Sequence, residues 1–294
     1  MHTLFRTARL PFALAAASLW SSLLFGQSAP VPAAVAIPRP SAAEVTALTS
    51  TFDSFKKSLP ADTQALLAKY PDLISVRVPG VNTAVVPDLS PRFVEKHQAN
   101  LAVAKAGNID LLFAGDSITD FWRNPEGAFA GKPVFDKHWG AIKTANFGIA
   151  GDTTQGVLYR LQHGEGQGFS PKAVMLMIGT NNTRANSAAE IAEGIGAIVL
   201  EMQKDFPAAK ILLLGIFPRS TPVDPVRKQI AEINSIISKL GDDKKVFYMD
   251  IGKVFLDAQG NIGTDIMSDG LHPTTKGYEL WAAAVSAKLA ELLK

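Results

Sequence analysis

Four separated stretches of the chain carry residue types that together could perform acyl transfer. Gly115-Asp116-Ser117 sets a hydroxyl just after an apolar run, and the stretch from Asn146 to Thr154 contains Gly151. Gly179-Thr180-Asn181-Asn182 offers a carboxamide, and Asp269-Gly270-Leu271-His272-Pro273 sets an imidazole three residues after a carboxylate. Acyl transfer needs a nucleophile, a base, a group that orients the base, and donors for the oxyanion. Ser117 can be the nucleophile, weak until a base takes its proton. His272 can be that base. Asp269, at a spacing that a turn folds back on itself, can reach the other ring nitrogen and fix the tautomer. The amides of Ser117 and Gly151 and the Asn181 side-chain NH2 are the expected oxyanion donors, with glycine at 151 leaving its N–H unshielded. Each piece alone has a bland explanation. Gly151 could permit a tight turn before a helix capped by Asp152, Asn181 could be a left-handed turn residue, and Asp269 and His272 could be ordinary loop residues. Their joint placement after strands of one sheet is what points to chemistry.

The strands are read from near-continuous apolar runs over residues 109–115, 144–149, 173–179, 211–217 and 246–251. Such runs mark strands buried on both faces of a parallel sheet. Helices fill the gaps. Ser90-Pro91 opens one that carries Phe93, His97, Leu101 and Ala104 on one face and ends at Gly107. Ser187 with Glu190 forms a capping box before the stripe Ile191, Ile195, Ile198, Val199, Met202 and Phe206. Asp224-Pro225 opens another helix, and the last begins near Thr274 with Tyr278, Trp281, Val285, Leu289 and Leu292 facing inward. Alternating strands and helices predict a three-layer α/β/α sandwich around a five-stranded parallel sheet. Ligands of such sheets bind beyond the carboxyl ends of the strands, where all four stretches fall.

The bulk of the chain restricts its partners. In 294 residues, 47% are apolar and 19% charged, which excludes a disordered polymer. Without Arg6 and Arg9, basic and acidic residues are equal at 27 each, so no charge excess favours nucleic acid. The absence of cysteine excludes disulfides, thiolate catalysis and thiolate-bound zinc. Residues 1–9 carry two arginines and no acid, 10–25 are apolar, and small residues follow. That order predicts a secretory signal over residues 1–28, with Ala34-Val35-Ala36 as a second acceptable cleavage position. An uncleaved anchor is the alternative, against which the short apolar run argues. The expectation is export to the periplasm or the extracellular space, without stable membrane insertion after processing. Pro30, Pro32, Pro38 and Pro40 make residues 29–40 read as a stiff, extended linker. Residues 41–90 read as an extension packed on the core, with helical pieces around 42–57 and 61–69.

The Gly115-Asp116-Ser117, Gly151, Asn181 and Asp269-x-x-His272 blocks resemble those of the SGNH (GDSL-type) hydrolases. Asn146-Phe147-Gly148-Ile149-Ala150-Gly151-Asp152-Thr153-Thr154-Gln155, Gly179-Thr180-Asn181-Asn182 and Leu214-Gly215-Ile216-Phe217-Pro218-Arg219 look like one branch in particular. That branch includes platelet-activating-factor acetylhydrolase catalytic subunits and bacterial acetylhydrolases. The resemblance spans 91–294. It implies a flavodoxin-like sandwich with strand order 2-1-3-4-5, Ser117, His272 and Asp269 as a triad, and no metal or cofactor. Asn182 stands where many members have Asp, as it does in the acetylhydrolase-like branch. The expected activity is hydrolysis of short acyl esters, acetyl above all, on a carbohydrate or similar alcohol. A lysophospholipase- or thioesterase-like lipase is one alternative, which the lack of a long apolar lid disfavours. An inactive polysaccharide-binding domain is another, which the complete set of blocks opposes. A calcium-dependent hydrolase using Asp250, Asp257, Asp265 and Asp269 lacks the spacing of a known loop.

Overall fold

The computed structural model describes residues 28–70 and 80–294. The signal expected over 1–28 therefore lies almost wholly outside the described residues. Five strands, β1 (Leu111–Gly115), β2 (Thr144–Asn146), β3 (Ala173–Met177), β4 (Lys210–Leu214) and β5 (Val246–Met249), form one sheet. All pairings are parallel and the order is β2-β1-β3-β4-β5. The doubly buried character expected of the runs is met residue by residue. Leu112, Ala114, Val174, Leu176, Ile211 and Leu213 enter one core, while Leu111, Phe113, Met175, Met177, Leu212 and Leu214 enter the other. A period of two feeding two apolar layers is what a strand covered on both faces requires.

Helices α3 (Val94–Ala106), α6 (Thr154–Arg160), α7 (Ala188–Asp205) and α8 (Pro225–Ile237) cover the first face. Helices α5 (Lys132–Trp139) and α9 (Thr275–Leu292) cover the second, where Trp122, Trp139 and Trp281 pack with Phe113 and Tyr278. The predicted caps are present. Ser187 and Glu190 form the reciprocal box on α7, Asp224 Oδ1 accepts from Val226 N at 2.9 Å, and Thr274 caps α9. Gly107 ends α3 at φ +68°, the left-handed region where glycine carries no Cβ penalty. The helix expected to open at Pro91 begins as one 3₁₀ turn, Pro91–Phe93, before α3 proper.

Three elements differ from the sequence expectation. The strand expected over 144–149 pairs only through Asn146. Beyond it, Phe147 N and Ile149 N still donate to Phe113 O and Gly115 O, but Arg123 draws the Asn146 and Gly148 carbonyls to itself. The proline-rich stretch after residue 28 is extended, yet it lies on the core rather than free of it. Ala29 and Val35 are buried, Ala29 N donates to Val85 O at 2.8 Å, and Arg39 grips the fully buried Glu193 of α7 with two 2.7 Å bonds. Helices α1 (Ala42–Ser58) and α2 (Ala61–Lys69) form where the sequence places them, but neither buries a single residue. Among the described residues of the extension, the packed ones are at the turn Thr83–Val85 and just before it, with Asn82, Ala84 and Val85 buried. Among the described residues no helix is long and apolar enough to cross a membrane.

Candidate active site

Ser117 is the first residue of α4 (Ser117–Asp120), directly beyond the carboxyl end of β1. Its position is fixed from three sides. Asp116 caps the turn, its Oδ1 accepting from Ile118 N at 3.0 Å. Tyr278 of α9 donates from its hydroxyl to Ile118 O at 2.8 Å. A Cβ at Gly115 would collide with the backbone of Met177 and the side chain of Thr119, so only glycine lets the turn close against β3. Asp116 is fully buried, and its Oδ2 has no partner among the described residues. Burial pushes its pKa up to about 7, against the pull of the Ile118 amide, with Asp152 adding to the rise and Arg219 opposing it.

His272 and Asp269 come from the loop before α9. Ser117 Oγ donates to His272 Nε2 at 2.8 Å, and His272 Nδ1 donates to Asp269 Oδ2 at 2.6 Å. The other carboxylate oxygen of Asp269 accepts the backbone amides of Leu271 and His272 at 3.0 and 2.8 Å. The three-residue spacing thus closes a small ring in which backbone and imidazole bind one carboxylate. Partial burial would raise the Asp269 carboxyl. The bonds from His272 and Leu271 outweigh that and hold it below the usual carboxylate range. The side chain of Asp269 is 40% exposed, unlike the nucleophile. The His272 ring packs against both Phe121 and Phe129, at centroid distances of 5.0 and 5.2 Å, and those two rings stack on each other.

Gly151 sits after the short β2 at φ +84°, a conformation a side chain would strain. Asn181, in the 3₁₀ turn Thr180–Arg184 beyond β3, donates from Nδ2 to Asp152 O at 2.8 Å. The carboxamide therefore lies against the peptide that follows Gly151, with its second N–H still to give. The left-handed residue of that turn is Gly179 and not Asn181. Asp152 does not cap α6 either. Its Oδ1 accepts from Thr153 N, and its Oδ2 accepts from Arg160 Nε and Nη2 at 3.0 and 2.8 Å. Asn182 ties the two loops together by accepting from Thr154 N at 3.0 Å and donating to Gln155 Oε1 at 2.8 Å.

Beneath this loop lies a charged network that the sequence reading missed. Arg160 is 2% exposed and binds Asp152, Glu165 and Phe147 O, while His97 and Asn100 complete Glu165 from α3. Burial opposes the Arg160 charge, but Glu165 and Asp152 together more than offset it and keep the guanidinium ionised. The available signal was Arg160 itself, a charge set among Val157, Leu158 and Leu161 on a helix face that is otherwise buried. A second group, Lys96, Asp120 and Arg123, holds the strand-to-loop segment after β2, with Ala150 N donating to Asp120 Oδ2 at 2.9 Å. The four aspartates imagined around calcium are engaged separately. Asp250 and Asp257 accept backbone amides, Asp265 pairs with Lys276, and Asp269 holds His272. Among the described residues no cluster of three His, Cys, Asp or Glu could hold a metal ion.

A parallel sandwich with a hydrogen-bonded Ser-His-Asp line at its carboxyl edge is the architecture of an α/β serine hydrolase. Residues 113–280 match the GDSL-like lipase/acylhydrolase family model. The chain is 34% identical over 203 residues to platelet-activating factor acetylhydrolase IB subunit alpha2 of Homo sapiens, covering 69% of this chain and 83% of that one. It is 30% identical to the alpha1 subunit of Rattus norvegicus, over 69% and 84% of the two chains. Its fold is similar to that of a member of the lipolytic protein G-D-S-L family from Veillonella parvula, with TM-score 0.53 and 18% identity over 62% of this chain and 98% of that one. The protein belongs to the GDSL-like lipase/acylhydrolase family and is an acylhydrolase of the ester-cleaving kind.

Proposed function

We propose that the protein is an exported serine esterase that removes short acyl groups, acetyl above all, from a carbohydrate or similar alcohol. The observation that carries the chemistry is the unbroken line Ser117 Oγ, His272 Nε2, His272 Nδ1, Asp269 Oδ2, with both hydrogen bonds under 3 Å. In the first half-reaction the Ser117 proton passes to His272 Nε2 as Oγ bonds to the ester carbon. The carbonyl electron pair moves onto oxygen, where the Ser117 and Gly151 amides and Asn181 Nδ2 are the assigned donors. Collapse breaks the bond to the alcohol, which leaves with the proton held by His272. Water then attacks the acyl-serine, again giving its proton to His272, and the acid departs as Ser117 Oγ recovers a proton. Asp269 keeps Nδ1 protonated and stabilises the imidazolium formed in both halves. Residues 113–280 supply all of these groups, and the acetylhydrolase names of the 30–34% identical relatives support a short acyl group.

Export rests on the order of charges and apolar residues before residue 28. Cleavage near 28 retains the buried Ala29 and Val35, whereas cleavage at 36 removes both anchors, which favours the earlier site. Hydrolysis of p-nitrophenyl esters from acetate to palmitate tests the activity, with acetate and propionate expected to give the highest kcat/KM. A steady rise with chain length would transfer the protein to the lipase-like reading. Loss of fluorophosphonate labelling in Ser117→Ala, with melting unchanged, is expected in the same experiment. Turnover that survives in that variant would refute the assignment of Ser117.

A further inference from the structure

Beside the Ser117–His272 line lies a cavity of about 330 Å³ whose walls include Arg92, Lys96, Asp120, Phe121 and Ala150. It shares two walls with the site. Phe121, which lines it, is the ring packed 5.0 Å from His272, and Ala150 precedes Gly151. Arg92 Nη2 reaches the Gly151 carbonyl at 3.3 Å. The charge in these walls is unbalanced. Lys96 and Arg123 share the single carboxylate of Asp120, which the Ala150 amide also satisfies. Arg92 lies with its guanidinium 4.6 Å above the Phe93 ring, and no carboxylate among the described residues forms an ion pair with it. One carboxylate therefore faces three cations, and two of those, Arg92 and Lys96, line the cavity. The leaving alcohol must lie on the His272 side of the scissile ester, because His272 returns its proton. Phe121, the ring packed against His272, is also a wall of the cavity.

We propose that this cavity is an alcohol-side subsite for esters whose alcohol carries an anion, a carboxylate or a phosphate, bound by Arg92 and Lys96. The inference rests on the esterase reading above and names the class of alcohol that reading leaves open. An arginine braced on an aromatic face presents its N–H fork at little entropic cost, and the lysine, four residues on along the same helical segment, adds a point charge beside it. Partly exposed pairs of this kind are individually modest, so two acting together amount to a preference of roughly tenfold.

The test compares kcat/KM for 4-acetoxybenzoate and 4-acetoxyphenyl phosphate with that for methyl 4-acetoxybenzoate, each divided by its rate of alkaline hydrolysis without protein. At low ionic strength the anionic esters are expected to be preferred about tenfold over the neutral one, and the preference should shrink in 0.5 M salt. The larger value of the two anionic arms separates a carboxylate from a phosphate as the natural charge. Arg92→Gln combined with Lys96→Met should bring the ratio close to one, while Lys137→Met, exposed on α5, should leave it as in the wild type. Because the readout is a ratio, any general loss through the Arg92–Gly151 contact cancels. Hydrolysis of the neutral ester with no anionic preference would overturn the subsite and leave the esterase reading intact. A preference that survives the double substitution would overturn the assignment to Arg92 and Lys96. Failure to hydrolyse any of the three esters would overturn both readings together.

Discussion

The two sides of the site are built in opposite ways. The Ser117 and Gly151 side is sealed from beneath: Asp116, Asp152, Arg160 and Glu165 are all buried, and its loops are tied to one another and to α6. The His272 side stands at the surface, where Asp269 is 40% exposed and is fixed by two amides of its own loop. In the proposed mechanism the sealed side holds groups that must not move as charge develops on the carbonyl oxygen, and preorganised donors keep their advantage only where water cannot compete. The open side must exchange protons with an arriving alcohol or water, and solvent does not impede that. The division also separates the consequences of mutation. Damage on the open side should cost catalysis without stability, and damage beneath the sealed side should cost both.

The largest effect is expected at the junction of the two sides. His272→Ala removes the only base among the described residues that touches Ser117 Oγ and should lower kcat by at least about 10⁴-fold, with melting unchanged. Asp269→Asn is expected to lose less, no more than about 10³-fold, because water reaches a carboxylate this exposed and can partly stand in for it. Steady-state kinetics beside a melting curve decides the matter. An Asp269→Asn loss equal to that of His272→Ala would show that the open side is as preorganised as the sealed one.

Next in size is the buried network. Arg160→Met leaves Asp152 and Glu165 facing each other without their cation, a change that typically costs about 3–5 kcal/mol. A fall of roughly 10 °C in melting temperature is expected, together with a reduced kcat, since Asp152 carries the carbonyl that orients Asn181. Adding Asp152→Asn and Glu165→Gln to Arg160→Met should restore much of the stability by removing the stranded charges. A stable, fully active Arg160→Met single variant would mean that the network does not support the loop.

How much of this was legible in the sequence depends on how local each cause is. The five strands could be read because residues buried on both faces form unbroken apolar runs. Their ends overshot because Ile178, Ile216 and Phe217 remain buried after the ladder has stopped. The candidate chemical residues could be picked out because their types are rare in combination, and Asp269 and His272 need only three residues of separation to meet. The support could not. Arg160 and Glu165 are close in sequence, but their partner His97 lies 68 residues before Glu165, and nothing local marks the contact. The proline-rich stretch was misread because proline fixes a backbone without telling whether that backbone lies on protein or in water. The clue was on the other partner. Gly194 and Gly196 stand inside α7, where glycine is costly, and Cβ atoms there would come within 2.7 Å of Ala84 O and 2.6 Å of Val35.

Asp116 offers a pH test of the sealed side. Its pKa, about 7 in the folded chain, is above the value near 3.8 of a free aspartate, so the native state binds the proton more tightly. That stability is fully present below about pH 4 and is lost as pH rises through 7. Asp116→Asn cannot ionise, yet it keeps an oxygen to accept from Ile118 N. The variant should gain on the wild type in melting temperature steadily from about pH 4 to about pH 7, with little further gain above. A difference between the two that does not change with pH would show that Asp116 is already ionised throughout this range.

The smallest expected effect concerns the strap over α7, which neither side of the site touches. Glu193 is fully buried and accepts from Ile37 N at 2.7 Å and Asn82 Nδ2 at 2.8 Å in addition to Arg39. Burial alone would raise its carboxyl, but these bonds, Arg39 foremost, bring it below the ordinary glutamate range. Arg39 itself is 40% exposed, so solvent screens the pair, and two neutral donors remain when the guanidinium is removed. Arg39→Ala should therefore cost only about 1 kcal/mol, read as a melting temperature lower by roughly 2–4 °C at pH 7. A group with a lowered folded pKa contributes stability above its unfolded value, near 4.5, and loses it as pH falls. The gap between Arg39→Ala and wild type should thus be full at pH 7 and close as pH falls through the lowered folded pKa of Glu193. Cleavage of the strap by added protease should accelerate in the variant while kcat on acetate esters stays as in the wild type. A fall in kcat would join the strap to the sealed side of the site, and the separation between scaffold and chemistry drawn here would have to be moved.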